Sequence, residues 1–282
     1  MEFNTYEVAG ITYEIPAKGY NYGCKQSLVY PLVELPKRDQ GDTIKSPRIG
    51  KPHGLPDPVK IGTDEHLEMC EELMEVQSMV KNGVWPTEFL AKHHPDKKNY
   101  DPGIMPEPLR MRGLECSKPL DAAMFVYNDP PYTVPFACLN WIQSTSAPAK
   151  RPSSHHHDIH DQVINPIEQI GDALRRGMGK AFEAKYFFGR KRIWEIYGTT
   201  DNQFVLAPTT GHHHPGYPAG HAVAAGSSVC LEKEFYLDIC QKREIRNSAY
   251  LGAMLRTLFG AHPVDDNLAG LQLAGCDLMV GR

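Results

Sequence analysis

The chain lacks the features that mark membrane-spanning, secreted and nucleic-acid-binding proteins. Its 282 residues carry a formal net charge of −4, so no basic field indicates binding to nucleic acid or to an anionic membrane surface. No apolar run approaches the roughly 18 residues that cross a bilayer. The first ten residues, MEFNTYEVAG, have neither the basic nor the apolar region of a signal peptide. We therefore expect a cytoplasmic protein without nucleic-acid or membrane partners.

The cysteines exclude two further classes. There are 7 of them, an odd number, and they are scattered without a Cys-x-x-Cys pair. This pattern is typical of reduced thiols and not of a disulfide framework or a zinc site. What the chain does have is histidine: 13 residues, many of them clustered. Because the composition is otherwise that of an ordinary globular protein, these clusters are the feature to explain.

The predicted organisation is mainly α, with one helical domain behind an irregular arm. Residues 1–60 are rich in Pro, Gly and Lys, with a short alternating stretch at Ile11–Ile15 that is consistent with a hairpin. Residues 61–282 show no repeat and no clear interdomain linker, so we expect a single domain. The arm is of a kind that wraps a body or a partner subunit, and we expect a homo-oligomer.

Apolar side chains at helical spacing and helix-start signals predict the helices of this domain. They are predicted over 64–84, 119–127, 133–145, 165–196, from 219 onward, over 243–261, and after Asp266, with 86–118 as loop. Thr63 is predicted to cap the first helix, and its buried face is predicted to comprise Leu67, Cys70, Leu73, Met74, Val76 and Val80. The helix after Asn165 has an N-cap, Pro and Glu in the favourable order. Its core stripe is predicted to be Ile167, Ile170, Leu174, Met178 and Phe182.

One stretch, His212–Ser228, combines a Pro- and Gly-rich turn with the start of a small apolar helix. The N–H groups of a first helical turn lack internal partners, and with the macrodipole they favour a phosphate-like oxyanion. Gly216 and Gly220 allow close approach of the backbone, and His221 is able to move protons there. A helix N-terminus with an incidental histidine is the alternative interpretation of this stretch.

Two basic residues, Lys185 and Arg192, are seven apart on the predicted 165–196 helix, so they project from nearly the same face. An Arg fork and a Lys point charge together suit an oxyanion. The alternative is a solvated basic surface run over Arg190–Arg192.

A third group follows a predicted helix end: Arg256, Gly260, His262 and Asp266. A carboxylate four residues after a histidine can fix its tautomer and raise the basicity of its other nitrogen. Such a histidine is a good metal ligand or a good nucleophile toward phosphorus. A helix C-terminal histidine that interacts only with the dipole is the alternative.

These three groups, in this order, resemble the signature shared by vanadium-dependent haloperoxidases and type 2 phosphatidic acid phosphatases. The matching motifs are Lys185 to Arg192, Pro218-Ala-Gly-His221, and Arg256 to His262 to Asp266, followed by Leu268-Ala-Gly270. The resemblance covers about 165–275 and is weaker upstream. It implies an α-helical bundle around a single oxyanion, vanadate or phosphate.

The resemblance also implies roles for individual residues. Lys185, Arg192, Arg256 and the N–H of Gly220 would hold the oxyanion. His221 would be the acid/base, and His262, held by Asp266, would be the vanadium ligand or the phosphate nucleophile. The chain departs from the family at Ile193, Ala219 and Leu255, where Pro, Ser and Ser are usual. The missing hydroxyl at Ala219 removes one preorganised hydrogen bond and is expected to lower oxidative activity.

Three functions remain open at this point. A vanadium-dependent haloperoxidase would use hydrogen peroxide to oxidise bromide, iodide or chloride and halogenate a small organic substrate. A phosphatase of the same superfamily would hydrolyse a phosphomonoester through a phosphohistidine. A non-catalytic oxyanion-binding or assembly protein is the third possibility, because the chain is shorter than the algal enzymes that it resembles.

Two further histidine features bear on this choice. His214, seven residues before His221, is similar to an additional catalytic histidine of algal-type haloperoxidases and favours the oxidative function. The cluster His155–His160 has the imidazole density to bind a transition metal, although an exposed polar loop is the alternative.

Overall fold

A computed structural model describes residues 3–8, 11–16, 54–114, 117–128, 133–145, 165–192 and 215–279. Near the N-terminus, strands β1 (Phe3–Val8) and β2 (Ile11–Pro16) form an antiparallel hairpin in which Val8 lies opposite Ile11. This hairpin includes the alternating stretch noted in the sequence. The rest of the described chain is mainly helical, as predicted.

In chain order the described helices are α1 (Asp64–Lys81), α2 (Thr87–His93), α3 (Glu107–Arg110), α4 (Pro119–Asn128), α5 (Thr133–Ser144), α6 (Asn165–Phe188), α7 (Gly220–Gly226), α8 (Leu231–Glu234), α9 (Ile239–Leu258) and α10 (Val264–Leu273). A 3-10 helix, Ser227–Cys230, joins α7 to α8. The predictions for α4 and α5 are confirmed to within one residue at each end.

Helix α9 is the axis of the bundle. It begins at a capping box, in which Asp238 and Gln241 bond to each other's backbone, and every residue from Asn247 to Leu258 is buried. Helices α1, α3, α4, α5, α7 and α10 all contact it. The first turns of α9 carry Gln241 to Glu244, whereas its C-terminal half is small or apolar on most sides, so the burial of that half follows from its sequence.

Helix α1 has the predicted cap but a shifted buried face. Thr63 accepts a hydrogen bond from the N–H of His66. Leu67 is 49% exposed, so its prediction as a core residue is wrong, whereas His66 and Gln77 are buried. Gln77 donates to the carbonyls of Thr257 and Leu258 at the end of α9. The burial of Gln77 depends on hydrogen bonds to a distant helix end, so the local spacing of apolar residues cannot predict it.

Short helices were missed in the predicted loop 86–118. Helix α2 buries Phe89 and Leu90 and has Glu88 in its first turn, and α3 is a single turn. Neither is long enough to display the repeated apolar spacing by which longer helices are recognised.

Helix α6 ends eight residues earlier than predicted, at Phe188 instead of 196. Gly189 follows with φ of 59° and donates its N–H to the Lys185 carbonyl. This left-handed glycine is a common way to end a helix. Ile167, predicted in the core stripe, is 38% exposed, so this part of the prediction is wrong.

The junction between α9 and α10 also differs from the prediction. Helix α9 runs from Ile239 to Leu258, four residues earlier at its start and three at its end than expected, and α10 begins at Val264, before Asp266. Gly260 has φ of 77°, and the Ala261 N–H reaches back to the Arg256 carbonyl. This turn reverses the chain and places the residues that follow it beside the end of α9.

Residues just before α1 pack against the far end of the chain. Leu55 lies in a small apolar cluster with Ala184, Tyr217 and Ala269. The Tyr217 hydroxyl donates to the Pro56 carbonyl at 2.7 Å. These residues fall within the predicted 1–60 arm, yet they are packed on the helical body.

Glycine at position 270 allows α7 and α10 to pack closely. A Cβ atom there would lie 2.5 Å from the Ala219 carbonyl oxygen and 2.7 Å from the Ala222 Cβ. Backbone contact at this distance leaves no room for a side chain. The start of α7 is therefore held against α10, which carries Asp266. Within the described ranges, no helix combines the length and the apolarity needed to cross a membrane.

We predict that Gly270→Ala destabilises the fold by about 1–3 kcal/mol, because the added methyl overpacks a backbone contact. Gly171→Ala on α6 is the matched control, since no atom lies within 4 Å of its added Cβ. That change is expected to stabilise by about 0.5–1 kcal/mol, the usual gain of Ala over Gly in a helix. Urea denaturation of both variants measures the difference, and equal effects would contradict the packing argument.

Candidate oxyanion site

The predicted site residues lie at or beside the ends of four helices, and Lys185, Arg192, Arg256, His262 and Asp266 are linked by bonds or electrostatic effects. The positions are Lys185 in the last turn of α6, Arg192 after that helix, Gly220 and His221 in the first turn of α7, Arg256 in the last turn of α9, His262 between α9 and α10, and Asp266 in the first turn of α10. Residues far apart in the sequence thus meet at the helix ends.

Burial of charge distinguishes this region. Lys185, Arg192, Arg256 and Asp266 are each no more than 2% exposed. Arg190 is also buried, whereas Lys191 between the two arginines is exposed. A solvated basic run over Arg190–Arg192 is therefore wrong. We call Lys185, Arg190, Arg192 and Arg256 the cation cluster.

The Asp266 carboxylate fixes the tautomer of His262. His262 Nδ1 lies 2.7 Å from Asp266 Oδ2 and donates to it, so a neutral ring has its lone pair on Nε2. Arg192 Nη1 lies 2.9 Å from Nε2 and 3.4 Å from Nδ1, so this guanidinium lies against the ring and not along the Nε2 lone pair. The contact expected between His262 and Asp266 is present.

Arg190 is a site residue that the sequence reasoning missed. Its guanidinium donates to Asp266 Oδ1 at 3.0 Å and also to Asp265. No local signal identified it, because Arg190 lies in a segment that was predicted to be helical and its two carboxylate partners are 75 and 76 residues away.

The prediction that Lys185 and Arg192 lie on one helix is wrong, because α6 ends early. They do not share a helix face, because Arg192 lies beyond Gly189 in a non-helical segment. They nevertheless lie in the same cluster, since both the Lys185 ammonium and the Arg192 guanidinium are within electrostatic range of Asp266.

Lys185 has an ammonium group in an apolar and cationic setting. Its Nζ donates to the carbonyls of Pro215 and Gly216, at 2.8 and 2.7 Å. Burial lowers the pKa of Lys185 well below its ordinary value, and the nearby Arg192 and Arg256 guanidinium groups lower it further, against the opposing effect of Asp266. In the part of the chain that the structure describes, no carboxylate bonds to Lys185. A bound anion would restore the charged form.

The predicted α7 N-terminus is present but short. Helix α7 has 7 residues, Ala219 is its N-cap, and the Ala219 N–H donates to the Asp266 backbone carbonyl at 2.8 Å. His221 is half-buried. With so few aligned peptide units, the field at this site comes mainly from side-chain charge and not from the helix.

Gly216 keeps the loop before α7 close to Asp266. A Cβ atom at Gly216 would lie 3.0 Å from Asp266 Oδ2, and the Gly216 N–H donates to the Arg190 carbonyl at 2.8 Å. The loop that carries the predicted motif is thus fixed to two site residues at once. The peptide bond Tyr217–Pro218 in this loop is cis.

Several predicted features lie outside the described residues: His214, Ile193 and the cluster His155–His160. Among the family departures, Ala219 and Leu255 are fully buried in the main apolar core. Within the described ranges, no group of three or more His, Cys, Asp and Glu residues could hold a metal ion. The buried groups of this region are instead mainly cationic, the kind of donors that hydrogen-bond to anions.

Comparisons with known proteins add no relative: no family model, curated protein or solved structure matches the chain.

We predict a pH dependence of stability that is due to Asp266. Burial raises the pKa of this carboxyl to about 6, although Arg190 opposes the shift, while its ordinary value is about 3.9. The folded state therefore binds more protons between these values. The associated stability is complete below about pH 4 and is lost as the pH rises through about 6. Relative to Asp266→Asn, the parent should lose about 1.4 kcal/mol per pH unit in this window.

The measurement is the free energy of unfolding in urea from pH 4.5 to 7.5, in buffer without phosphate or vanadate. Subtraction of the Asp266→Asn values cancels groups that titrate equally in both proteins. A difference between parent and variant that does not change with pH would contradict the assignment.

Proposed function

We propose that this chain is a vanadium-dependent haloperoxidase-like oxidoreductase whose cofactor is vanadate, with hydrogen peroxide, a halide and a small organic molecule as substrates. The observation that carries the proposal is the state of His262. Its Nδ1–H is committed to Asp266, so that Nε2 carries the lone pair of a neutral ring, and a guanidinium of the buried cation cluster lies 2.9 Å from Nε2. This is the arrangement that a neutral histidine needs to coordinate an anionic metal centre among cations.

Charge and burial support an oxyanion of this kind. Burying cations costs several kcal/mol each unless they are paired, and the Lys185 ammonium has only carbonyl oxygens as described partners. A dinegative or mononegative oxyanion beside Lys185, Arg192 and Arg256 would offset that cost. Anion binding would thus relieve part of the unfavourable free energy of burying these cations.

The proposed roles follow from position. Arg192 would turn its guanidinium from His262 Nε2 to the oxyanion, while its bond to the Ala261 carbonyl holds its side chain in place. Lys185 and Arg256 would contact other oxygens. His221, half-buried at the start of α7, would hold or move a proton at the solvent side. When bound, vanadate would supply a Lewis-acidic centre that activates hydrogen peroxide toward halide.

Burial of the site from solvent supports catalysis in addition to anion binding. With His262 and Asp266 each no more than 2% exposed, hydrogen bonds to a developing charge act in a low-dielectric environment. Ala219 offers no hydroxyl, so the proposed enzyme depends more on cations than a serine-containing relative would.

We predict that purified protein reconstituted with orthovanadate halogenates an activated phenol or diketone in the presence of hydrogen peroxide and bromide. The measured quantity is the initial rate as a function of vanadate concentration, with phosphate as competitor. Absence of vanadate-dependent turnover, together with phosphate release from an aryl phosphate, would replace this reaction with phosphomonoester hydrolysis at the same site. Anion binding without either reaction would indicate a non-catalytic oxyanion-binding protein.

Variants separate binding from turnover. His262→Ala should abolish turnover, whereas His221→Ala should lower turnover but leave anion binding measurable, because His221 is assigned only to proton movement. Lys191→Ala is the matched control, since this neighbouring cation is exposed. Binding is measured as the rise in unfolding free energy, about 2.7 kcal/mol at a ligand concentration 100 times Kd. If His262→Ala and His221→Ala both behave like the parent, the site assignment is wrong.

A further inference from the structure

We infer that Arg190 is a positioning residue for the proposed oxyanion chemistry: it clamps the Asp266 carboxylate so that His262 presents Nε2 to the ligand. The inference rests on the proposed function of His262, but it concerns a residue outside the recognised motifs.

The Asp266 carboxylate is held at both oxygens. Arg190 Nη1 lies 3.0 Å from Oδ1, and His262 Nδ1 lies 2.7 Å from Oδ2. Rotation of the carboxylate about its Cβ–Cγ bond would break one or both bonds. A carboxylate fixed in this way accepts the Nδ1–H of His262 in a single orientation.

Arg190 is itself fixed. Its side chain is 4% exposed and also pairs with Asp265, and its carbonyl accepts the Gly216 N–H at 2.8 Å. Asp265 in turn accepts the Val59 N–H at 3.1 Å. Because both the backbone and the side chain of Arg190 are anchored, its guanidinium can act as a rigid support.

The two arginines contact one imidazole in different ways. Arg192 lies directly against the His262 ring, 2.9 Å from Nε2 and 3.4 Å from Nδ1, whereas Arg190 reaches Nδ1 through Asp266. They are separated by exposed Lys191, so the same short segment supports the histidine at two points.

Loss of Arg190 would leave Asp266 with the histidine as its main side-chain anchor. The carboxylate could then turn, and the Nδ1–H and Nε2–H tautomers of His262 would interconvert. In the Nε2–H tautomer no lone pair faces the ligand, so anion coordination would weaken.

The test is ¹⁵N NMR of the full-length protein with ¹⁵N-labelled histidine rings, in buffer without phosphate or vanadate. Comparison with His262→Gln assigns the His262 resonances. In the parent we expect a protonated Nδ1 and an unprotonated Nε2. In Arg190→Ala we expect averaged resonances from two tautomers and a 10- to 100-fold weaker vanadate affinity, the usual effect of losing a residue that orients a ligand.

Two variants keep the test decisive. Arg190→Lys retains the charge but not the fork, so it should restore part of the parent tautomer preference, and it replaces Arg190→Ala if that protein does not fold. Lys191→Ala should match the parent in both measurements. Parent-like tautomers and parent-like vanadate affinity in the Arg190 variants would overturn the inference.

The outcome of this test can be distinguished from the outcome of the test of the proposed function. If the parent shows no vanadate-dependent turnover but Arg190→Ala alters the His262 tautomer, the reaction is wrong and the positioning role stands. If turnover is present and Arg190→Ala leaves the tautomer and the affinity unchanged, the reaction stands and the positioning role is wrong.

Discussion

The contact between His262 and Asp266 is the interaction on which the described site depends. It joins the turn after α9 to the first turn of α10, and both partners are buried. Two cations of the cluster contact this pair: Arg190 binds the carboxylate, and Arg192 binds the imidazole. Without the Asp266 carboxylate, Arg190 would keep Asp265 as a partner, but Lys185 and Arg192 would lose a nearby negative charge that offsets part of the cost of their burial.

The surrounding fold serves mainly to bring helix ends together. The last turns of α6 and α9 and the first turns of α7 and α10 meet at the site. Left-handed glycines at positions 189 and 260 end two of these helices and redirect the chain toward His262. Close approach of Gly270 to the Ala219 carbonyl oxygen holds the start of α7 against α10. Rigid helices position side chains more accurately than long loops do, which suits chemistry that depends on orientation.

The longer helices and the residues of the candidate site could be predicted from the sequence, but not the way in which they meet. The order of Lys185, Arg256 and His262 along the chain allowed them to be grouped into one candidate site. The spacing of four residues between His262 and Asp266 predicted their contact. The end of α6 was misjudged because apolar residues continue past Phe188, while Gly189 ends the helix there. The role of Arg190 was missed because its partners are 75 and 76 residues away, and no local rule reports such a pairing.

The anchoring of Asp265 has a consequence for how the molecule folds. Its bond to Val59 spans 206 residues, and the neighbouring bond from Arg190 spans 75. Closing such long chain segments has a high entropic cost before any contact offsets it. Helices α6 and α9 can form from local contacts, whereas the bonds of Asp265 require the segments that carry Val59 and Arg190 to dock first. The site is therefore expected to be the last region to assemble, after the apolar core has already closed around α9.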